Sequence, residues 1–128
     1  DEQLRALADR GGLLGIMLHP MAIDHERRTI ARVVDHLEHA AGVLGIGHVC
    51  LGGDFVQRLS RVLPPFSPLP DGLLPPGLEV GSAIEGLAGP EDYPALGEAL
   101  AAGGWSAADI AAVTSENLLR FLARALPS

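Results

Sequence analysis

Apolar and polar positions along this chain follow two periods. Leu13-Leu14-Gly15-Ile16-Met17-Leu18 is a continuous apolar run of strand length, and Ile46 to Leu51 is a second, mostly apolar one. Such runs suit strands covered on both faces, as in a parallel sheet. Between them, from Asp24 to Val43, Ile30, Val33, Val34, Leu37, Ala41 and Leu44 recur at three- and four-residue steps. That spacing predicts a helix with one apolar stripe, and it puts Arg28, Arg32, Asp35, His36 and His39 on the other side. A shorter helix is predicted over Asp1 to Arg10, with Leu4, Leu7 and Ala8 on one face and Gly11-Gly12 as its stop. Helix, strand, helix, strand with short links is repeated β/α architecture.

After Asp54 the pattern lapses. From Gln57 to Gly89 the chain carries Pro64, Pro65, Pro68, Pro70, Pro75 and Pro76 among scattered glycines. A connection of this length is usually functional or disordered; its leucines favour a lid or packed Ω-loop over a free linker, and the stretch around Arg58 to Leu63 has room for a short helix. Pro90 opens a further helix that runs through Tyr93, Leu96, Gly97 and Leu100 to Gly103-Gly104. The last helix has the fullest local signature: Ser106 and Asp109 make a capping box, and Trp105 can staple onto Ile110. Its predicted buried stripe is Ile110, Val113, Leu118, Phe121 and Leu122. Asn117 interrupts that stripe, and if buried it has to bridge helix to loop by hydrogen bonds.

Composition narrows the classes. The 128 residues suffice for one domain with a modest core. A hydrophobic content of 48% and a mean hydropathy of +0.26 suggest faces meant to be covered by something else, and a homodimer is one arrangement that would cover them. The net charge of −7 argues against nucleic acid or an anionic membrane as partner. No run approaches a membrane span, and Asp1-Glu2-Gln3-Leu4-Arg5 reads as neither signal peptide nor translation start. The chain is therefore expected to begin inside a longer one. With Cys50 as the single cysteine, the expected location is cytoplasmic.

The candidate chemistry gathers where the second run meets two glycines. His48-Val49-Cys50-Leu51-Gly52-Gly53-Asp54-Phe55 presents one carboxylate at the carboxyl end of a strand, where α/β proteins place their sites. Two readings of Asp54 stand side by side, a placed catalytic acid or a cap for the next turn. His19, before Pro20, holds the same place after the first strand and is either a cleft residue or a hydrogen-bonded turn histidine. His36 and His39 are three residues apart, not four as in helical zinc motifs, so they read as a solvated face. Gly11-Gly12 and Gly52-Gly53 match no phosphate fingerprint, although a phosphate-binding barrel fragment remains a third-rank reading. Cys50 has no basic sequence neighbour to activate it.

Val34-Asp35-His36-Leu37-Glu38-His39, followed by Gly47 to Phe55, resembles the membrane (renal-type) dipeptidases, a family within the metal-dependent amidohydrolase barrels. Its members carry a similar Asp-His-hydrophobic-acid-His helix and then a strand ending in Gly-Ser/Gly-Asp-Phe-Asp-Gly. The likeness continues through Ile84-Glu85-Gly86-Leu87, Tyr93-Pro94-Ala95-Leu96 and Gly104-Trp105-Ser106 to Glu116-Asn117-Leu118-Leu119-Arg120. It covers nearly this whole chain but only the C-terminal portion of a family member. One departure is Asp54-Phe55-Val56-Gln57, which lacks the second acid and puts the substrate range in question.

The resemblance implies an α/β fold in which residues 1–128 are the C-terminal part of a (β/α)8 TIM-type barrel. That part holds the last two parallel strands, their flanking helices and the long Pro-rich loop, 57–89, on the active-site side. It implies zinc-dependent dipeptide hydrolysis, with two zinc ions in the complete enzyme and no metal ligand in this chain. The family's ligands (an early His-x-Asp, a bridging Glu and two later His) and its substrate-carboxylate Arg belong to earlier strands. Asp54 takes the proton-handling role, and nothing further carries over; His19, which matches no invariant family residue, and Phe55 are candidate substrate contacts from their places beside the strand ends. The implied partners are the dipeptide and the upstream remainder of the barrel, without which this chain is expected to be inactive. The competing reading is a non-catalytic remnant or interaction module of the same fold, and an upstream His-x-Asp and Glu in frame would favour the enzyme.

Overall fold

The computed structural model describes residues 1–56, 72, 76 and 81–127. Helix α1, Glu2–Asp9, ends as its two glycines predict. Gly11 N–H donates to the Ala8 carbonyl (2.8 Å) and Gly12 N–H to that of Leu7 (2.9 Å), with Gly11 at φ +70°. This pair of bonds is a Schellman closure, which satisfies carbonyls that the helix end would otherwise orphan. Strand β1, Leu14–Met17, follows, and then a four-residue turn of helix, α2, Pro20–Ile23.

Helix α3 spans Ile30–Leu44, six residues later at its start than the periodicity predicts. The reason is Asp24. Its Oδ1 accepts from the backbone N–H of Glu26 (3.0 Å) and Arg27 (2.9 Å), which holds this stretch in a turn that competes with helix. Glu85 N–H then donates to the Arg28 carbonyl (2.6 Å), tying the same turn to the segment that follows the long loop. Val33, Leu37, Ala40 and Leu44 are the buried residues of α3, so Ala40 takes the place predicted for Ala41. Each buried Val or Leu side chain contributes about 1.5–3 kcal/mol, well above the few tenths that a valine costs in helix propensity.

Ile46–His48 is a 3₁₀ turn, and strand β2 runs Val49–Gly53, so the second predicted strand is shifted toward its glycines. The two strands pair in parallel with Leu14 opposite Val49, and among the described residues no strand pairs with those before Val49. Among the described residues the sheet is this pair alone. The α/β class and the parallel order are as the sequence predicts.

Ile84 and Leu87 are buried in the core, and Pro90–Asp92 forms a 3₁₀ turn whose Asp92 carboxylate accepts from Ala88 and Gly89 N–H. Helix α4, Tyr93–Ala102, buries Leu96 and Leu100 against α3. The helix predicted around Arg58 to Leu63 lies outside the described residues, as does most of 57–89.

The C-terminal helix corrects one expectation. It is α5, Ala107–Ala111, a π-helical segment Ala112–Glu116, and α6, Asn117–Ala125, in continuous succession. Ser106 caps it by accepting from Asp109 N–H (3.1 Å). Leu118 and Leu122, predicted in the buried stripe, are 39% and 37% exposed. The π segment widens the turn by about one residue, which rotates everything after it about the helix axis. Asn117, four residues after Val113 and so on the same face, is the residue buried beside it, at 2% exposed. Thr114 and Ser115 hydroxyls donate to the carbonyls of Ile110 (2.7 Å) and Ala111 (3.2 Å), the kind of back-bonding that distorts a helix.

Candidate active-site edge

The carboxyl ends of β1 and β2 form one edge, and the backbone register sets what stands on it. Ile16 lies opposite Leu51 but Met17 lies opposite Gly53, so Gly52 is an extra residue that bulges β2. A Cβ on Gly52 would sit 3.0 Å from the Ile16 carbonyl oxygen and 3.1 Å from its carbon, which is why the position takes glycine. Leu18 N–H donates to the Gly53 carbonyl (2.7 Å) as the last rung. One residue beyond that rung on either strand stand His19 and Asp54.

Asp54 has φ +81°, directly after Gly53 at φ +70°. The left-handed region costs most L-residues about 1–2 kcal/mol, with Asp and Asn among the most tolerant. The side chain is exposed, and among the described residues no donor engages its carboxylate. Asp54 holds its left-handed backbone angle, exposed, at the carboxyl end of β2.

His19 is the N-cap of α2: its Nδ1 accepts from Met21 N–H (3.3 Å). The turn role is thus what the structure shows, and it leaves Nε2 to carry the proton of the neutral ring. Phe55 is half-buried against Tyr93, with ring centroids 5.8 Å apart and a 56° tilt. That pair anchors the chain as it leaves Asp54. Burial raises the Tyr93 hydroxyl above its usual range, and it does the same to the buried Cys50 thiol.

Other histidines are engaged separately. His36 Nε2 is 2.9 Å from the Ile23 carbonyl, His48 Nδ1 is 2.8 Å from that of Gly12, and His39 Nε2 is 3.1 Å from an Asp1 carboxylate oxygen. No three His, Cys, Asp or Glu side chains among the described residues could hold one metal ion. The described residues therefore do not bring a zinc site together by themselves.

Next to this edge lies a charged turn that sequence reasoning passed over. Asp24 Oδ2 accepts from Arg32 Nε (3.1 Å) and Arg27 Nε (3.3 Å), and Arg32 also pairs with Asp35. The backbone bond from Arg27, followed by those from Glu26 and Arg32, lowers the Asp24 carboxyl to about 2. An Asp two and three residues before the N–H groups it can cap, with arginines at +3 and +8, was the available signal.

The sequence pattern of the membrane dipeptidase family (Peptidase family M19) matches residues 1–70, more than half of the chain and the whole of the strand pair with Asp54. The chain belongs to that family. A curated relative, Dipeptidase aclJ of Aspergillus oryzae, is 29% identical over 125 residues, which is 95% of this chain and 24% of that protein. This dipeptidase-family chain thus spans about a quarter of the length of the curated relative it matches.

Proposed function

We propose that this chain is the C-terminal part of a (β/α)8 barrel that hydrolyses dipeptides, and that Asp54 is its acid for proton handling. Family membership supports a dipeptidase-like hydrolase, and the observation that carries the role of Asp54 is its exposed carboxylate, which no donor among the described residues engages, at a left-handed backbone position on the strand-end edge. Such a carboxylate can accept the proton released as water adds to the scissile carbonyl. It can then return that proton to the departing amine nitrogen as the C–N bond breaks. Peptide and water give a carboxylic acid and an amine, so atoms and charge balance without a covalent intermediate.

His19 stands one residue past β1 on the same edge, and its Nε2–H is proposed to donate to the substrate. Phe55 is proposed to wall the pocket from its perch on Tyr93. The family's zinc pair, if held as the resemblance implies, takes its ligands from segments preceding Asp1, and no residue of this chain is assigned to it. A full-length protein carrying this segment is expected to cleave unmodified dipeptides. Failure on a broad dipeptide panel, with metal restored, would remove the proposal.

A further inference from the structure

We infer that Met17, assisted by Met21, sets side-chain preference at this edge, selecting dipeptides that carry an apolar side chain; the inference rests on the dipeptidase reading above. The chain has two methionines, and both stand here, 49% and 46% exposed. Along β1, Leu14 and Ile16 pack against the core, so Gly15 and Met17 face the other way. Across from them, a Cβ on Gly15 would lie 3.3 Å from Gly52 Cα and 3.7 Å from Cys50 Sγ, which places those residues on the same face. Among the described residues of the two strands, Met17 is then the one long side chain on a face otherwise paved by glycine and cysteine.

Its register partner is Gly53, the residue before Asp54. Met21 follows on the α2 turn, its N–H held by His19 Nδ1 at 3.3 Å. Met17 and Met21 thus flank His19 along the chain, and Met17 stands across the register from the residue before Asp54, with the glycines of the same face beside it. A flexible, polarisable thioether adapts to several apolar shapes, so the preference is for the class and not for one residue. A face without an added charge gives an acidic side chain no partner there.

The test uses the full-length enzyme and four dipeptides: glycylglycine, glycyl-leucine, leucyl-glycine and glycyl-aspartate. The expected result for Met17→Gln is that kcat/KM for at least one leucine dipeptide, relative to glycylglycine, falls about 10-fold, chiefly through KM. Met17→Leu retains the ratio. A ratio unchanged by Met17→Gln, or an equal loss on all four substrates, overturns the inference and leaves the dipeptidase reading intact. Absence of hydrolysis by the unsubstituted enzyme overturns both. Because each ratio is internal to one preparation, partial loss of folded protein does not alter it. Should Met17→Gln fail to fold, Met21→Gln on the exposed turn is expected to lower the same ratio about 3-fold, and no change there overturns the inference.

Discussion

Two aspartates of this chain show opposite uses of one side chain. Asp24 is consumed by its surroundings: two backbone N–H groups and two arginines hold its carboxylate, and its pKa falls to about 2 from an ordinary 3.8. A carboxyl depressed on folding binds fewer protons in the folded state than in the unfolded one as pH falls. The stabilisation is therefore complete above about pH 4 and is lost as pH drops through about 2. Asp24→Asn keeps the turn geometry but not the charge. Thermal melts of the full-length protein between pH 5 and 2 should show a shallower acid decline for Asp24→Asn than for the unsubstituted chain, and parallel declines would contradict this account. Asp54 makes the contrast: it has a strained backbone and no described partner. Its glycine-led position was legible in the sequence, whereas its φ angle depends on the Gly52 bulge, which appears only when β2 is laid against β1. His19 was legible as a strand-end residue, but its cap to Met21 depends on the turn that Pro20 starts.

At the scale of elements, Asn117 is the clamp between the last helix and the sheet. It is 2% exposed, and its Nδ2 donates to the carbonyls of Ile46 (2.7 Å) and Val49 (2.8 Å), the latter the first residue of β2. Arg120 donates to its Oδ1. Asn117→Ala would leave two inward carbonyls without their donor, at about 1–3 kcal/mol for each buried group left unpaired. A loss of about 2 kcal/mol or more in denaturant midpoint is expected, and a loss below about 0.5 kcal/mol would show that the bonds are replaceable. The bridging role could be read from the sequence because an amide inside an apolar stripe needs partners. The exposure of Leu118 and Leu122 was missed because the predicted stripe steps five residues from Val113 to Leu118, whereas the 3.6-residue period carries the buried face from Val113 to Asn117 and leaves both leucines well round the helix. The start of α3 was missed for a different reason: the stripe is periodic, but Asp24 offers the backbone a turn instead, and periodicity carries no record of that competition.

At the scale of the whole molecule, two parallel strands leave their outer edges without partners among the described residues, and Leu119 and Leu126 are 64% and 61% exposed. Edges and apolar faces of this kind invite association. The 128-residue chain on its own is expected to self-associate, with a sedimentation coefficient that rises with concentration. A monomer with a sharp, concentration-independent unfolding transition would count against the barrel-segment reading.

The central claim is the role of Asp54, and Asp54→Asn in the full-length enzyme tests it most directly. Asn tolerates the left-handed backbone as Asp does and keeps the shape while removing the exchangeable acid. Turnover of a dipeptide and metal content are measured on one preparation. The predicted result is a fall in kcat of about 10²–10⁴-fold with metal content unchanged. Normal kcat with metal retained would contradict the assignment, and loss of metal together with activity would make Asp54 a ligand instead.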